Sequence, residues 1–187
     1  MRYISKCFHR SSTAIGTLLP AATVNLMRVE ARLAELGLVL PQALKAPPNV
    51  RLPFTNVRVR DNRAFVAGHG PLNPDGSLAG PFGKVPTDVS LEQAQQSARL
   101  VCLSMLASLK RELGDLDRIT CWLRVFGMVN STPTFNAQPN VINGCSDLLL
   151  EVFGPEVGQH ARSAVGLAAL PFDIPVEIEA EVEISLA

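Results

Sequence analysis

Arg162 stands at the head of an apolar stretch running to Leu170. Its guanidinium is always charged and can grip a planar carboxylate through two parallel hydrogen bonds, a geometry lysine does not reproduce. Further on, Glu177, Glu179, Glu181 and Glu183 alternate strictly with Val176, Ile178, Ala180, Val182 and Ile184. Such a row on one face of a strand repels itself unless cations or water lie opposite, so some of these carboxylates should meet a partner, within the chain or on another subunit. A partly buried one could accept a proton or steer a water. His69, between Gly68 and Gly70, offers an imidazole that exchanges a proton near neutral pH, and His160 lies two residues before Arg162. Cys7, Cys102, Cys121 and Cys145 form no C-x-x-C pair, which points to free buried thiols rather than a metal site or a disulfide framework. An isolated arginine or histidine is more often a surface ion-pair or hydrogen-bonding residue than a catalytic one, so the surroundings must decide.

The elements that would position these residues follow from periodicity. Val29, Leu33, Leu36 and Leu40 form one stripe of a short helix over 29–40, stopped by Pro41. A Pro-rich extended linker, 41–49, leads into a core over 50–187. There Val57 and Val59 alternate with arginines, Asp61-Asn62 makes a turn, and Ala64 to Ala67 reads as a buried strand. Gly68 to Pro71 and the Gly/Pro-rich stretch 73–86 read as loop. Ser90, followed three residues later by Gln93, predicts a capped helix ending at Gly114. Ile119 to Val129 reads as a central strand with Trp122, Arg124 and Phe126 on one face. A second long helix runs from Val141 to Phe153 and closes at Gly154-Pro155. Arg162–Leu170 and Val176–Ile184 complete the strands. This order implies an α+β fold: a mixed sheet with two helices packed on one face. A plain hairpin of the last two strands would leave Glu177 about 23 Å along the sheet from Arg162. Either the last strand inserts elsewhere in the sheet or the site is completed across subunits.

Residues 1–28 contain no acid but hold Arg2, Lys6, Arg10 and Arg28 among Ser, Thr and Ala. On a helix, Arg2, Lys6 and Arg10 share one face and Met1, Ile4 and Phe8 the other. That is the composition of a mitochondrial transit peptide, which predicts a matrix location; the alternative is a tail without an address. With 17 basic and 17 acidic residues in the whole chain, removing those four bases leaves an acidic remainder, which argues against a nucleic-acid surface. No apolar stretch reaches the roughly 18 residues a membrane-spanning helix needs. Residues 29–187 read as a single domain.

Ala161-Arg162-Ser163-Ala164-Val165-Gly166-Leu167, Leu170-Pro171 and Val176-Glu177-Ile178-Glu179-Ala180 closely resemble the C-terminal signature of the RidA (YjgF, endoribonuclease L-PSP-like) family. The resemblance spans roughly 50–187 and is nearest to a divergent branch with an extra N-terminal helix and an enlarged segment around Val141-Ile142-Asn143-Gly144. It implies a homotrimer whose three sheets face a central barrel, with clefts between neighbours. It further implies a deaminase hydrolysing reactive enamines and imines to 2-keto acids and ammonia, without metal or organic cofactor. By the same resemblance Arg162 grips the substrate carboxylate and Glu177 positions water, with Glu179 as a rival for that place. Phe54, Ala67, Gly68, His69, Asn143 (or Asn140) and Ala164 would line the pocket. The chain departs from the family at Phe54, where a tyrosine is usual, at Ala67-Gly68-His69, where Ser-Gly-Gln is common, and at Ala164, where cysteine is frequent. Loss of those polar groups leaves open a trimer that binds a small carboxylate without turning it over. Ribonuclease activity, a name attached to part of the family, is a weaker reading, given the acidic balance and the single Trp and single Tyr.

Overall fold

In the computed structural model, residues 29–186 are described; the predicted leader lies outside them. Helix α1, Val29–Glu35, is shorter than the predicted 29–40. Gly37 takes a left-handed φ of 65° and closes the helix, with Leu38 N donating to Leu33 O (2.9 Å) and Gly37 N to Ala34 O (3.0 Å). Val29 N donates to Asp117 Oδ1 (2.7 Å) and Glu30 pairs with Lys110, tying α1 to the domain. The 41–49 segment does not run free: Gln42 N donates to Pro74 O and Lys45 N to Gly76 O.

A five-stranded sheet follows, in the order β1-β2-β5-β3-β4. β1 is Val57–Arg60, β2 Arg63–His69, β3 Ile119–Asn130, β4 Ala161–Leu167 and β5 Val176–Ile184. β3 and β4 are parallel and the remaining neighbours antiparallel. The last strand thus inserts between β2 and β3 instead of pairing with β4, which settles the hairpin question raised by the sequence. α2, Leu91–Leu113, begins with the predicted capping box at Ser90 and Gln93 and ends at Gly114 in the left-handed conformation. α3, Gln138–Gly158, breaks its helical geometry at Gly154, followed by Pro155. Both long helices cover one face of the sheet, with Val101, Met105, Leu148, Val125, Ile178 and Val182 among the fully buried residues between them. At Gly144 the helices come so close that a Cβ would collide with the Gln95 carbonyl. No helix among the described residues is long and apolar enough to cross a membrane.

Two strand readings need correction, the first because of a bulge. Between Trp122 and Arg124 the register of β3 against β5 shifts, with Trp122 opposite Val182 and Arg124 opposite Glu181. The extra residue reverses the alternation. Trp122 therefore points into the core with Val125, while Arg124 and Phe126 occupy the open face. β2 likewise is not buried on both sides, since Phe65 is 42% exposed. It also continues through Gly68 and His69, which the sequence reads as loop.

Candidate functional site

The bulge in β2 sets the site. Val66 lies opposite Ala180 and His69 opposite Ile178, so three steps on β2 span two on β5. Unbroken alternation from Ala64 and Val66 would turn Gly68 toward the helices and His69 away. The extra residue exchanges them. Gly68 comes to lie against Glu177, so closely that a Cβ there would strike Glu177 Oε1. His69, 7% exposed, enters the interior beneath α2. Its Nδ1 is 2.6 Å from Ala67 O, and a carbonyl only accepts, so Nδ1 carries the proton. Nε2 then accepts from Ser108 Oγ (2.8 Å), which itself accepts from Arg111 Nη2 (2.9 Å). Burial, with the Arg111 charge adding to it, holds the His69 imidazole below its usual pKa despite the bond to Ala67 O, and hence neutral.

These residues converge on a cavity of about 260 Å³ at the end of the sheet. Of the residues named from sequence, Phe54, Gly68, His69 and Glu177 line it. Sequence reasoning missed Ser108 and Arg111, which add polar groups to its lining, and Leu72, Phe172 and Ile174, which add apolar wall. Ala67 lines a neighbouring depression on the open face with Arg124 and Glu179. Glu177 and Glu179 do not share a role. Glu179 meets Arg124 Nη1 at 3.6 Å, and Glu183 accepts from Asn62 and Thr120, so part of the carboxylate row is satisfied within the chain. Glu177 has no cation beside it among the described residues. Burial first, then the Glu179 charge, raises its pKa above the ordinary glutamate value of 4.5.

Arg162, Asn143 and Ala164 lie elsewhere. In register, Arg162 is opposite Val125 and Glu177 opposite Met128. That places them two strands and three residues apart, about 10 Å in each direction. They also project from opposite faces, because Arg162 reaches back to α3. Its Nη1 donates to Asn143 Oδ1 (2.8 Å) and Ser146 Oγ (2.9 Å), and its Nη2 to Pro139 O (3.4 Å). Asn143, rather than Asn140, is thus the amide at the arginine. Ser146 Oγ is 3.0 Å from His160 Nε2, while His160 Nδ1 donates to Gly158 O (2.8 Å). His160 does more than lead into the strand: it orients the serine that orients Arg162. Burial, reinforced by the nearby guanidinium, lowers the His160 pKa as well. Two chains of one design, arginine to serine to neutral histidine to carbonyl, therefore occur in the molecule. Ala164, opposite Gly127 on β4, packs against the core. Within one chain, then, the predicted residues do not gather into a single site. A Glu177 cavity lies at the end of the sheet, and a braced, carboxylate-free Arg162 sits on the edge strand β4.

Among the described residues Cys102 and Cys145 are buried free thiols and Cys121 is half-buried; Cys7 lies outside. Among the described residues, the one acidic group dense enough for a cation, Glu30, Asp115 and Asp117, is at the α1 junction, where Glu30 is engaged by Lys110 and Leu116 N.

A mixed sheet covered on one face by two long helices, with a free outer strand and a cavity at its end, defines a small α+β class. The chain belongs to the YjgF/chorismate mutase-like, putative endoribonuclease family, whose pattern matches residues 30–176. It is similar to protein TCP17 of Trypanosoma cruzi, with 38% identity over 84% of this chain and 95% of that one. Among solved structures it is similar to Atu1372 of Agrobacterium tumefaciens, a protein of unknown function, at 39% identity and a TM-score of 0.74, covering 84% and 92% of the two chains. A putative endoribonuclease from Shewanella oneidensis shares 27% identity at a TM-score of 0.75, covering 84% and 99%.

Proposed function

We propose that the protein is a homotrimeric deaminase of reactive 2-imino and 2-enamino acids, in which Arg162 of one subunit faces the Glu177 cavity of its neighbour. The observation that carries this reading is the state of Arg162. It is braced by Asn143 and Ser146 on an unpaired edge strand, with no carboxylate partner among the described residues. A fixed guanidinium without a counter-charge is poised for a planar carboxylate. The cavity holds the complementary group for the reacting end of the substrate, the Glu177 carboxylate on a largely apolar wall.

The chemistry asks little more of the protein. An enamine takes a proton on its β-carbon and becomes the imine, whose protonated C=N carbon is already electrophilic. Glu177 as carboxylate accepts a proton from water as the oxygen adds to that carbon, and returns it to the nitrogen of the carbinolamine. Ammonia leaves as the C–N bond breaks and the carbinol hydroxyl gives its proton back to the Glu177 carboxylate, so the C=O forms and the keto acid remains. Gly68 packs directly against the Glu177 carboxyl at the cavity wall, and Phe54 supplies an aromatic wall without a hydroxyl.

Following decay of 2-iminobutyrate, generated in place by a pyridoxal-phosphate dehydratase and trapped with semicarbazide, tests the reading. Wild type should accelerate hydrolysis to 2-oxobutyrate, and Arg162→Ala should lose most of that acceleration. No acceleration over buffer by wild type sinks the deaminase. The non-catalytic carboxylate binder is favoured by the loss of polar groups at Phe54 and Ala164, and predicts keto-acid binding without turnover. The ribonuclease reading fits poorly with a cavity whose one lysine or arginine is Arg111; it predicts RNA binding that falls steeply with salt. For the leader we propose import into the mitochondrial matrix, which fusion of residues 1–28 to a fluorescent protein tests: diffuse cytosolic fluorescence would refute it.

A further inference from the structure

Arg111 is a cation on the wall of an otherwise largely apolar cavity, opposite in kind to Glu177. It is held there by donating Nη1 to Pro41 O (3.2 Å) and Nη2 to Ser108 Oγ (2.9 Å). Burial lowers its pKa, and no carboxylate lies within ion-pair distance of it among the described residues. Nor can Ser108 or His69 supply negative charge. The Ser108 proton is committed to His69 Nε2 and the His69 proton to Ala67 O. The chain Arg111, Ser108, His69, Ala67 therefore fixes the guanidinium in place while leaving N–H groups of its fork for a ligand. The brace has the same design as that of Arg162, where the partner residues are Ser146 and His160. Leu72, Phe54, Phe172 and Ile174 give the same cavity its apolar wall. A cavity of about 260 Å³ also exceeds what a side chain of two or three carbons fills.

We infer that Arg111 anchors a second anionic group at the far end of the substrate. The ligand class is 2-imino and 2-oxo acids whose side chain is an apolar spacer ending in a carboxylate. This rests on the preceding reading for the place of the α-carboxylate at Arg162. The spacer lies along the apolar wall, the reacting carbon sits at Glu177, and the terminal carboxylate takes the free N–H groups of Arg111. An apolar terminus would leave a partly desolvated cation unpaired, which is the arrangement that discriminates most strongly.

The test is calorimetric titration of the full-length protein with 2-oxoadipate and with 2-oxohexanoate, chains of equal length that differ in the terminal carboxylate. Wild type should bind 2-oxoadipate about tenfold more tightly or better, the scale of a charge-assisted pair. Arg111→Gln should bring the two ligands to near parity, by weakening 2-oxoadipate and relieving the unpaired-cation penalty on 2-oxohexanoate, and Arg111→Lys should retain part of the preference. Equal affinities in wild type, or a preference that survives Arg111→Gln, would overturn the assignment. If Arg111→Gln damages the protein so that 2-oxohexanoate is lost as well, Arg111→Lys decides, and no preference there also overturns it. Arg162→Gln should weaken both ligands by the same factor. If it weakens neither while the Arg111 effect stands, the α-carboxylate anchor of the deaminase reading has failed and the second anchor has not.

Discussion

At the residue scale the clearest consequences follow from Glu177. Its pKa is raised by burial and by Glu179, so the native state holds a proton there more tightly than the unfolded chain does. Above 4.5 the unfolded glutamate ionises first, and stability is lost as pH rises through the raised value. Glu177→Gln should therefore abolish imine hydrolysis and yet raise the unfolding temperature at pH 7, a trade between function and stability. An unchanged rate would remove its role as proton acceptor. The rate in wild type should decline on acidification with a midpoint above 4.5. The histidines act in the opposite direction. His69 and His160 are held neutral below the ordinary value of 6.5, so they contribute stability above it that is lost as pH falls beneath it. Gly68→Ala separates position from charge. The new Cβ displaces the flexible end of Glu177 rather than backbone, so activity should drop by tenfold or more with a nearly unchanged melting curve. Equal activity would show that the carboxylate need not rest against Gly68.

At the element scale, packing of the two long helices hinges on Gly144, since a Cβ there meets the rigid Gln95 carbonyl. Gly144→Ala should cost about 1–3 kcal/mol in urea unfolding, the usual range for overpacking. A neutral result would mean that α2 and α3 can slide apart freely. How far these elements were legible depends on which signal carries them. The cap at Ser90, the stop at Gly114 and the strict alternation of β5 are local and chemical, and all three could be read directly from the sequence. Arg162 and Glu177 were legible through their signature. The faces of Trp122 and His69 were not, because period-two reading presumes an unbroken ladder. Each lies beside an inserted residue that depends on the partner strand, not on its own sequence. Arg111 escaped notice for another reason. Next to Lys110 in the last turn of α2 it looks like ordinary compensation of the helix dipole. Only the fold, by laying Pro41 and Ser108 across it, turns that charge toward a cavity.

At the scale of the whole molecule, the two half-sites make the proposed assembly testable without a structure of it. Arg162 and Glu177 project from opposite faces of one sheet, so one chain cannot apply both to one small ligand. β4 presents an unpaired edge, and the open face beside it carries Phe65, Phe126 and Met128 between charged residues. Exposed edges and apolar faces of this kind are usually covered by another chain. In a closed ring of three, each site would draw Arg162 from one subunit and Glu177 from the next. Arg162→Ala and Glu177→Gln chains should each be inactive alone. Co-expressed in equal amounts, they should form mixed trimers in which an intact arginine meets an intact glutamate at about a quarter of the sites, by random assortment. Activity should therefore return to about a quarter of wild type, tracking the fraction of mixed trimers separated by differential tags. A site contained within one chain predicts no recovery at any mixing ratio, because every chain carries one lesion. Light scattering on the same samples should give three times the chain mass. A monomeric mass with full wild-type activity would refute the shared site as decisively as failure of complementation.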